Sequence, residues 1–252
     1  MLSPDDIAAI ERATLDAVCP AEAQEIPGWL LPYDPLPIGR AQSAVPLTHA
    51  ALHLPTLLSI QARYQQQHRH TVFRLPEHLL DHALTRALHE RGFWPDEPVH
   101  VQVAANHALR QLASPDGVLI QAQPDDRWAS VYTADGFDPQ DGANRVKLLS
   151  RSAHAVYAHI SRDGQALAAG VGVISRGWLS IHGMRTRPEA QGMGLASKIL
   201  SGLATHARGT ERVFLQVEAS NAVALGLYRK AGFATAWRYQ YWRDHKHIAP
   251  HS

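Results

Sequence analysis

Residues 191–197 read Gln191-Gly192-Met193-Gly194-Leu195-Ala196-Ser197, a glycine-bearing loop between a strand-like run, Trp178 to Arg185, and a helical run from about Gly194 to Ala207. Glycine lets a backbone turn sharply and approach a ligand closely, and the first turn of a helix presents unsatisfied N–H groups backed by about half a positive charge. That combination suits a phosphate or pyrophosphate. A tight strand-to-helix turn can also need its glycines for steric reasons only, so the loop by itself leaves both readings open. Two common phosphate binders fit poorly. No Gly-Lys-Ser/Thr serves a nucleoside triphosphate, the third glycine of a dinucleotide fingerprint is missing, and the loop follows a late strand of its half.

A second run, Asn221-x-x-Ala224-x-x-Leu227-Tyr228-x-x-x-Gly232-Phe233, lies about thirty residues on. With Met184-x-Thr186-x-Pro188-Glu189-x-Gln191-x-x-Gly194-x-Ala196, it resembles the paired motifs of the GCN5-related N-acetyltransferases (GNAT), and the resemblance covers roughly Gly117 to Trp242. Gln191 stands where arginine is commoner and Ala196 where glycine is commoner, so phosphate affinity would rest mostly on backbone N–H groups. The resemblance implies an acyl-CoA N-acyltransferase fold and transfer of acetyl from acetyl-CoA to an amine of an unidentified acceptor by direct attack. On the same basis Gln191, Gly192, Met193, Gly194, Leu195, Ala196 and Ser197 would surround the pyrophosphate. The backbones of Met184 and Thr186 would pair with pantetheine, Asn221 with Ala224 beside it would meet the pantetheine arm, and Tyr228 would be the general acid.

That chemistry sets two proton problems. A lysine-like amine with a pKa near 10.4 costs about 4.6 kcal/mol to present as a neutral nucleophile at pH 7. The departing thiolate, near 8.5, needs a proton that a phenol near 10 supplies about 1.5 units uphill. For the base, Glu218 ends the strand beside the thioester, and His182 shares a strand face with Trp178 and Ser180. Each has a plain alternative, an exposed strand-end carboxylate and a hydrogen-bonded core histidine, and the family also uses ordered water. Gly183, inside a strand, reads as a bulge that opens the sheet or as packing relief. A non-catalytic acyl-CoA binding or sensor protein would share every cofactor residue.

These residues need strands and helices to hold them. Ser3 caps a first helix that Pro20 stops, strands are expected near 28–33, 40–45 and 71–75, and helices over 52–67 and 76–91. Val99 to Val103 closes this half as a strand. Beyond it come strands at 118–121, 155–160, 166–174, 178–185, 212–217 and 235–242. Helices are expected at 145–152, 194–207 and 222–230, and Thr133 to Ala143 reads as turn. Strands and helices interleave, so the class is α/β, or α+β with a mixed sheet.

At an offset of 140 residues, Leu75, Asp81 and Arg91-Gly92-Phe93 fall on Leu215, Asn221 and Ala231-Gly232-Phe233, in the same order of elements. The chain therefore reads as two similar halves. By a looser resemblance to the tandem members of the same family, residues 1–115 would form a degenerate GNAT-like domain, without the glycine loop and with Leu88 in place of Tyr228, and residues 116–252 the catalytic domain.

Composition bounds the rest. The 252 residues carry 24 Lys plus Arg against 23 Asp plus Glu, a formal charge of +1, which argues against a nucleic-acid partner. With 45% hydrophobic and 19% charged residues the chain can bury a sizeable core. One cysteine, Cys19, allows no internal disulfide. The acidic start Met1-Leu2-Ser3-Pro4-Asp5-Asp6 is unlike a signal peptide, and no apolar run crosses a bilayer. Sixteen scattered histidines, including the His68/His70 and His245/His247 pairs, show no ligand spacing, so no metal is expected. The expected protein is cytoplasmic, free of membrane, and a monomer or homodimer.

Overall fold

The computed structural model describes residues 2–244; His245 and His247 lie outside the described residues. Helix α1 (Pro4–Val18) opens the chain, capped by Ser3 with Asp6 in a reciprocal capping box. Strands β1 (Glu22–Ile26), β2 (Trp29–Tyr33) and β3 (Ser43–Pro46) follow, with the one-turn α2 (Gly39–Gln42) before β3. Then come α3 (Leu54–Gln66), β4 (Val72–Pro76), α4 (His82–Glu90), β5 (Phe93–Pro95), β6 (Val99–Ala105) and α5 (Asn106–Arg110). The rest of the chain forms β7 (Val118–Gln121), α6 (Asp126–Ser130), α7 (Pro139–Leu149), β8 (Ala155–Arg162), β9 (Gln165–Ser175) and β10 (Trp178–Thr186). It closes with α8 (Leu195–His206), β11 (Arg212–Glu218), α9 (Ala222–Lys230) and β12 (Ala234–Asp244).

The expected elements recur with three corrections, each set by a polar side chain at a helix start or by a local turn. Residues 40–42 are helix, not strand: the Ala41 N–H donates to the Ile38 carbonyl at 2.9 Å, a local turn that Gln42 braces by donating to the Asp34 carbonyl at 3.0 Å. The helix expected over 76–91 begins only at His82: Asp81 accepts from the Leu84 N–H at 2.7 Å and caps it there, and Glu77–Leu79 make a separate 3₁₀ turn. The helix expected at 145–152 starts at Pro139, because Asp138 caps it through the N–H groups of Gln140 and Asp141.

Among the described residues the strands form one 12-stranded mixed sheet, ordered β1-β2-β3-β4-β12-β6-β11-β10-β9-β8-β7, with β5 on β12. Only two neighbouring pairs are parallel, β3 with β4 and β10 with β11. These pairs stand in equivalent places, each followed by a helix capped at its first residue, Asp81 for α4 and Asn221 for α9. Each of those helices ends near a left-handed glycine, Gly92 at φ +84° and Gly232 at φ +87°. The halves then exchange strands. β6, from the first half, runs antiparallel to β11 along its whole length, while β12, from the second, pairs with β4. A cut at residue 115 divides the sequence but not the sheet.

Helices cover both faces. α8 and α9 pack Ile199, Leu200, Leu203 and Tyr228 against Leu179, Ile181, Leu215 and Val217. On the other face α1 lays Ile10 and Ala13 on Val99, Val101, Trp178, Phe214, Trp237 and Tyr239. α1 also buries Glu11, a residue type that is almost never buried unless paired. Its carboxylate meets Arg74 of β4 at 2.7 Å, with both side chains almost wholly out of water.

Candidate functional site

The site begins where two parallel strands part. β10 and β11 are in register from Trp178/Arg212 to Ile181/Leu215 and no further, and the register of β10 on β9 shifts between His182 and Arg185. Gly183 sits in that bulge at φ +60°, a conformation L side chains rarely adopt. Tyr132 Oη donates to its carbonyl at 2.6 Å, and a Cβ there would lie 2.6 Å from Leu149 Cδ1. The glycine is thus both the bulge and the packing relief. Beyond it Arg187 N–H donates to the Leu167 carbonyl at 2.9 Å, so the ladder to β9 uses the odd-numbered residues. By the same alternation the backbone groups of Thr186, and of Met184 two residues back, point away from β9 and into the opening.

The opening is a cleft of about 940 Å³ lined by Ile181, His182, Met184, Thr186, Gln191 and residues of β11, α9 and β12. At one end stands the bare start of α8. Gly192 and Gly194 hold φ +78° and +73°, and no side chain caps this helix, so the N–H groups of Leu195, Ala196 and Ser197 remain free. Gln191, Gly192, Met193 and Gly194 are exposed, whereas the Leu195 side chain is packed into the core and only its backbone faces the loop. Together these groups make a cradle of backbone donors of the kind a pyrophosphate needs. The residues fit a CoA-type ligand.

α9 carries the next group. Asn221 Oδ1 accepts from the Ala224 N–H at 3.0 Å as the helix cap, which leaves its Nδ2 as the donor toward the cleft. Two turns on, Tyr228 is buried against Phe233, ring centroids 5.6 Å apart, with its side chain lining the same cleft. Its hydroxyl finds no hydrogen-bond partner among the described residues. Burial pushes its pKa up to about 12, so the phenol stays protonated across the physiological range.

Because side chains alternate along a strand, the cleft has two sides. Ile181, Leu215, Val217 and Tyr228 belong to the α8/α9 face. His182, Gln216 and Glu218 belong with Trp178 and Phe214 to the α1 face. Glu218 ends β11 exposed at the mouth, opposite Val99. His182 is 4% exposed, edge-on to Phe214 at 6.4 Å, with both ring nitrogens unpartnered. Burial first, then the nearby Arg40 charge, depresses its pKa to about 3. The histidine is therefore neutral in the folded protein and a weak proton acceptor.

That depression has a measurable consequence for stability. The unfolded chain takes up a proton at His182 below about pH 6.5, while the folded chain resists until about pH 3, so stability falls as pH drops through this window. The slope due to this one group is about 1.4 kcal/mol per pH unit. Denaturant unfolding at pH 6, 5 and 4 should show that slope removed in His182→Leu. Parallel pH dependences for the two proteins would rule the assignment out.

Several cleft residues have no local signature in the sequence. Gln216 is held from two sides, its Nε2 donating to Thr14 Oγ1 at 2.9 Å and its Oε1 accepting from Tyr239 Oη at 2.8 Å. Tyr241 Oη lies 3.3 Å beyond Tyr239 Oη. The two tyrosines show only strand periodicity; their approach to the cleft follows from the strand exchange. The acidic stretch 135–141 is engaged within the protein: Asp138 caps α7, and Asp141 binds Arg145 at 2.7 Å and Arg185 at 3.2 Å. Among the described residues no group of three or more His, Cys, Asp or Glu could hold a metal ion, and no helix is long and apolar enough to cross a membrane.

Comparison with known proteins agrees with this fold. The model of the family described as "Probable histone acetyltransferase Rv0428c C-terminal" matches residues 5–242. A GCN5-related N-acetyltransferase from Kribbella flavida superposes with a TM-score of 0.67 at 16% identity, covering 94% of this chain and 95% of that one. A conserved protein of unknown function from Staphylococcus epidermidis gives 0.67 at 15% identity, over 88% and 92% of the two chains. A tandem GNAT protein from the clavulanic acid biosynthesis pathway gives 0.59 at 13%, over 96% of each chain. No curated protein matches the sequence. The shared fold is that of the acyl-CoA N-acyltransferases, and the chain belongs to the GCN5-related N-acetyltransferase family, within the group that the matching model describes.

Proposed function

We propose that the protein transfers the acetyl group of acetyl-CoA to an amine. One observation carries the reading: the uncapped N-terminus of α8 and the phenol of Tyr228 face a single cleft where β10 and β11 part. The division of labour is also a proposal. Residues 116–252 supply the cofactor side and Tyr228, while the degenerate residues 1–115 complete the cleft wall with Pro37 to Arg40, Asp96, Glu97 and Val99.

Bound acetyl-CoA supplies the thioester: a C–N bond to the amine replaces the C–S bond, leaving an amide, a free thiol and one proton from the ammonium. The first-turn N–H groups of α8 hold the pyrophosphate, and the backbones of Met184 and Thr186 with Asn221 Nδ2 align the pantetheine arm. Tyr228 donates its phenolic proton to the departing sulfur and recovers one, through water, from the second N–H that the attacking nitrogen loses as the amide forms. At a pKa of about 12 that transfer runs about 3.5 units uphill, close to 4.8 kcal/mol if it were complete before the bond broke, so it must accompany bond cleavage. Glu218, exposed on the opposite side, receives the ammonium proton directly or through water. His182 is too weak an acceptor for that step and serves as a neutral hydrogen-bonding group.

Isothermal titration with acetyl-CoA and thiol detection over a panel of amines test the reading. The expected result is saturable binding and thiol release dependent on an amine. Binding with no release on any amine would instead favour an acyl-CoA sensor, and no binding would remove both.

A further inference from the structure

The cleft contains charges that the chain itself leaves unmatched. Among the described residues that line it, four are arginines and four are carboxylates. Arg145 and Arg185 are bound to Asp141, and Arg243 to Asp96 at 2.7 Å. That leaves Arg40 without a carboxylate, and Glu97 and Glu218 without a cation. The two glutamates are neighbours: the Ala219 N–H donates to the Pro98 carbonyl at 2.8 Å, and Glu218 lies opposite Val99.

Arg40 is held in place by its helix. The preceding Gly39 sits so close to Tyr241 that a Cβ would fall 2.7 Å from the ring carbon Cζ, and the following Ala41 is fully buried. The guanidinium is half-buried, and its charge is felt at both His182 and Tyr239. A cation drawn partly out of water without a counter-charge calls for an anion, and the planar fork of arginine matches a carboxylate in two hydrogen bonds. In the same cleft the buried His182 has two unpartnered ring nitrogens, one residue from the Gly183 bulge. A ligand with one positive and one negative group would meet an opposite charge at each of these two places without disturbing the balance of four arginines against four carboxylates.

We propose that the acceptor is a small amino acid-like molecule, its carboxylate bound by Arg40 and its ammonium drawn to the Glu97/Glu218 side. This rests on the N-acetyltransferase reading. Arg40 is then a specificity-determining residue contributed by the first half of the chain, which explains why a half lacking the glycine loop remains part of the site.

The test compares free amino acids with the matched amines that lack the carboxylate, and with a lysine-rich peptide, on wild type, Arg40→Gln and Arg40→Lys. In wild type kcat/KM should be at least about 100-fold higher for amino acids than for matched amines or peptide, which would leave the half-buried guanidinium unpaired. Arg40→Gln should raise the amino-acid KM about 100-fold and collapse that ratio. Arg40→Lys should restore part of it, with acetyl-CoA affinity and melting temperature unchanged in both. Equal use of amines or peptide by wild type, or an equal loss on all acceptors in Arg40→Gln, would overturn the proposal. Should acetyl-CoA neither bind nor turn over, the underlying activity fails separately. Calorimetry of the amino acids against wild type and Arg40→Gln then still decides the site, since binding lost with Arg40 supports it and no binding to wild type refutes it.

Discussion

Tyr228→Phe should lower kcat by about 100- to 1,000-fold while leaving the KM for acetyl-CoA within about 2-fold, the loss expected when a positioned proton donor is removed from an otherwise intact site. The structure makes this a clean substitution. Among the described residues the hydroxyl has no hydrogen-bond partner to orphan, and the ring contact with Phe233 at 5.6 Å is kept by phenylalanine. The melting temperature should therefore move by no more than a degree or two. A pH profile adds a second check: with its pKa raised to about 12, Tyr228 contributes no inflection below pH 10, so any descending limb between pH 8 and 10 belongs to another group. Unchanged kcat in Tyr228→Phe would remove the tyrosine from the chemistry.

The largest effect on stability is expected from Arg74→Met. Removing one member of a buried ion pair leaves the other as an uncompensated charge, at a cost of about 3–5 kcal/mol. Here the orphan is Glu11, 2% exposed beneath α1. At roughly 2–4 °C per kcal/mol for a chain of this size, the melting temperature should fall by about 6–20 °C. The double variant Glu11→Leu/Arg74→Met should return to within about 1 kcal/mol of wild type, because replacing both partners removes the desolvation penalty along with the attraction. Arg74 also stacks over the Tyr239 ring at 5.2 Å, and Tyr239 holds Gln216 at the cleft floor. The restored double variant should accordingly keep its acetyl-CoA affinity and show a raised acceptor KM. A double variant no more stable than Arg74→Met would show that the pair stabilises the fold on its own account.

Much of the cofactor side was legible in the sequence because its requirements are local. Gly192 and Gly194 adopt positive φ within a few residues of the helix they precede, and the capping residue, the tyrosine and the terminal glycine of α9 keep fixed spacings along one helix. The offset of 140 residues was readable for the same reason, since a strand, a cap and a helix ending in Gly-Phe form a short-range pattern. Gly183 was half legible: an interior strand glycine signals a bulge, but not the Tyr132 hydroxyl that fixes its carbonyl. The acidic stretch before α7 offered charge without partners, and only folding brought Arg145 and Arg185 to Asp141.

Spacing and residue type alone determined the α/β class, the candidate anion-binding loop before α8 and the candidate acid on α9, since each depends on backbone geometry over one or two turns. Tertiary structure decided the opposite wall of the cleft. The exchange of β6 and β12 between halves, the burial of Glu11 against Arg74, and the placing of Arg40, His182 and Tyr239 around one cleft join residues up to about 200 positions apart. Strand patterns say which face is apolar but not which strand lies alongside, and a charge in a sequence does not show whether a counter-charge awaits it in the fold.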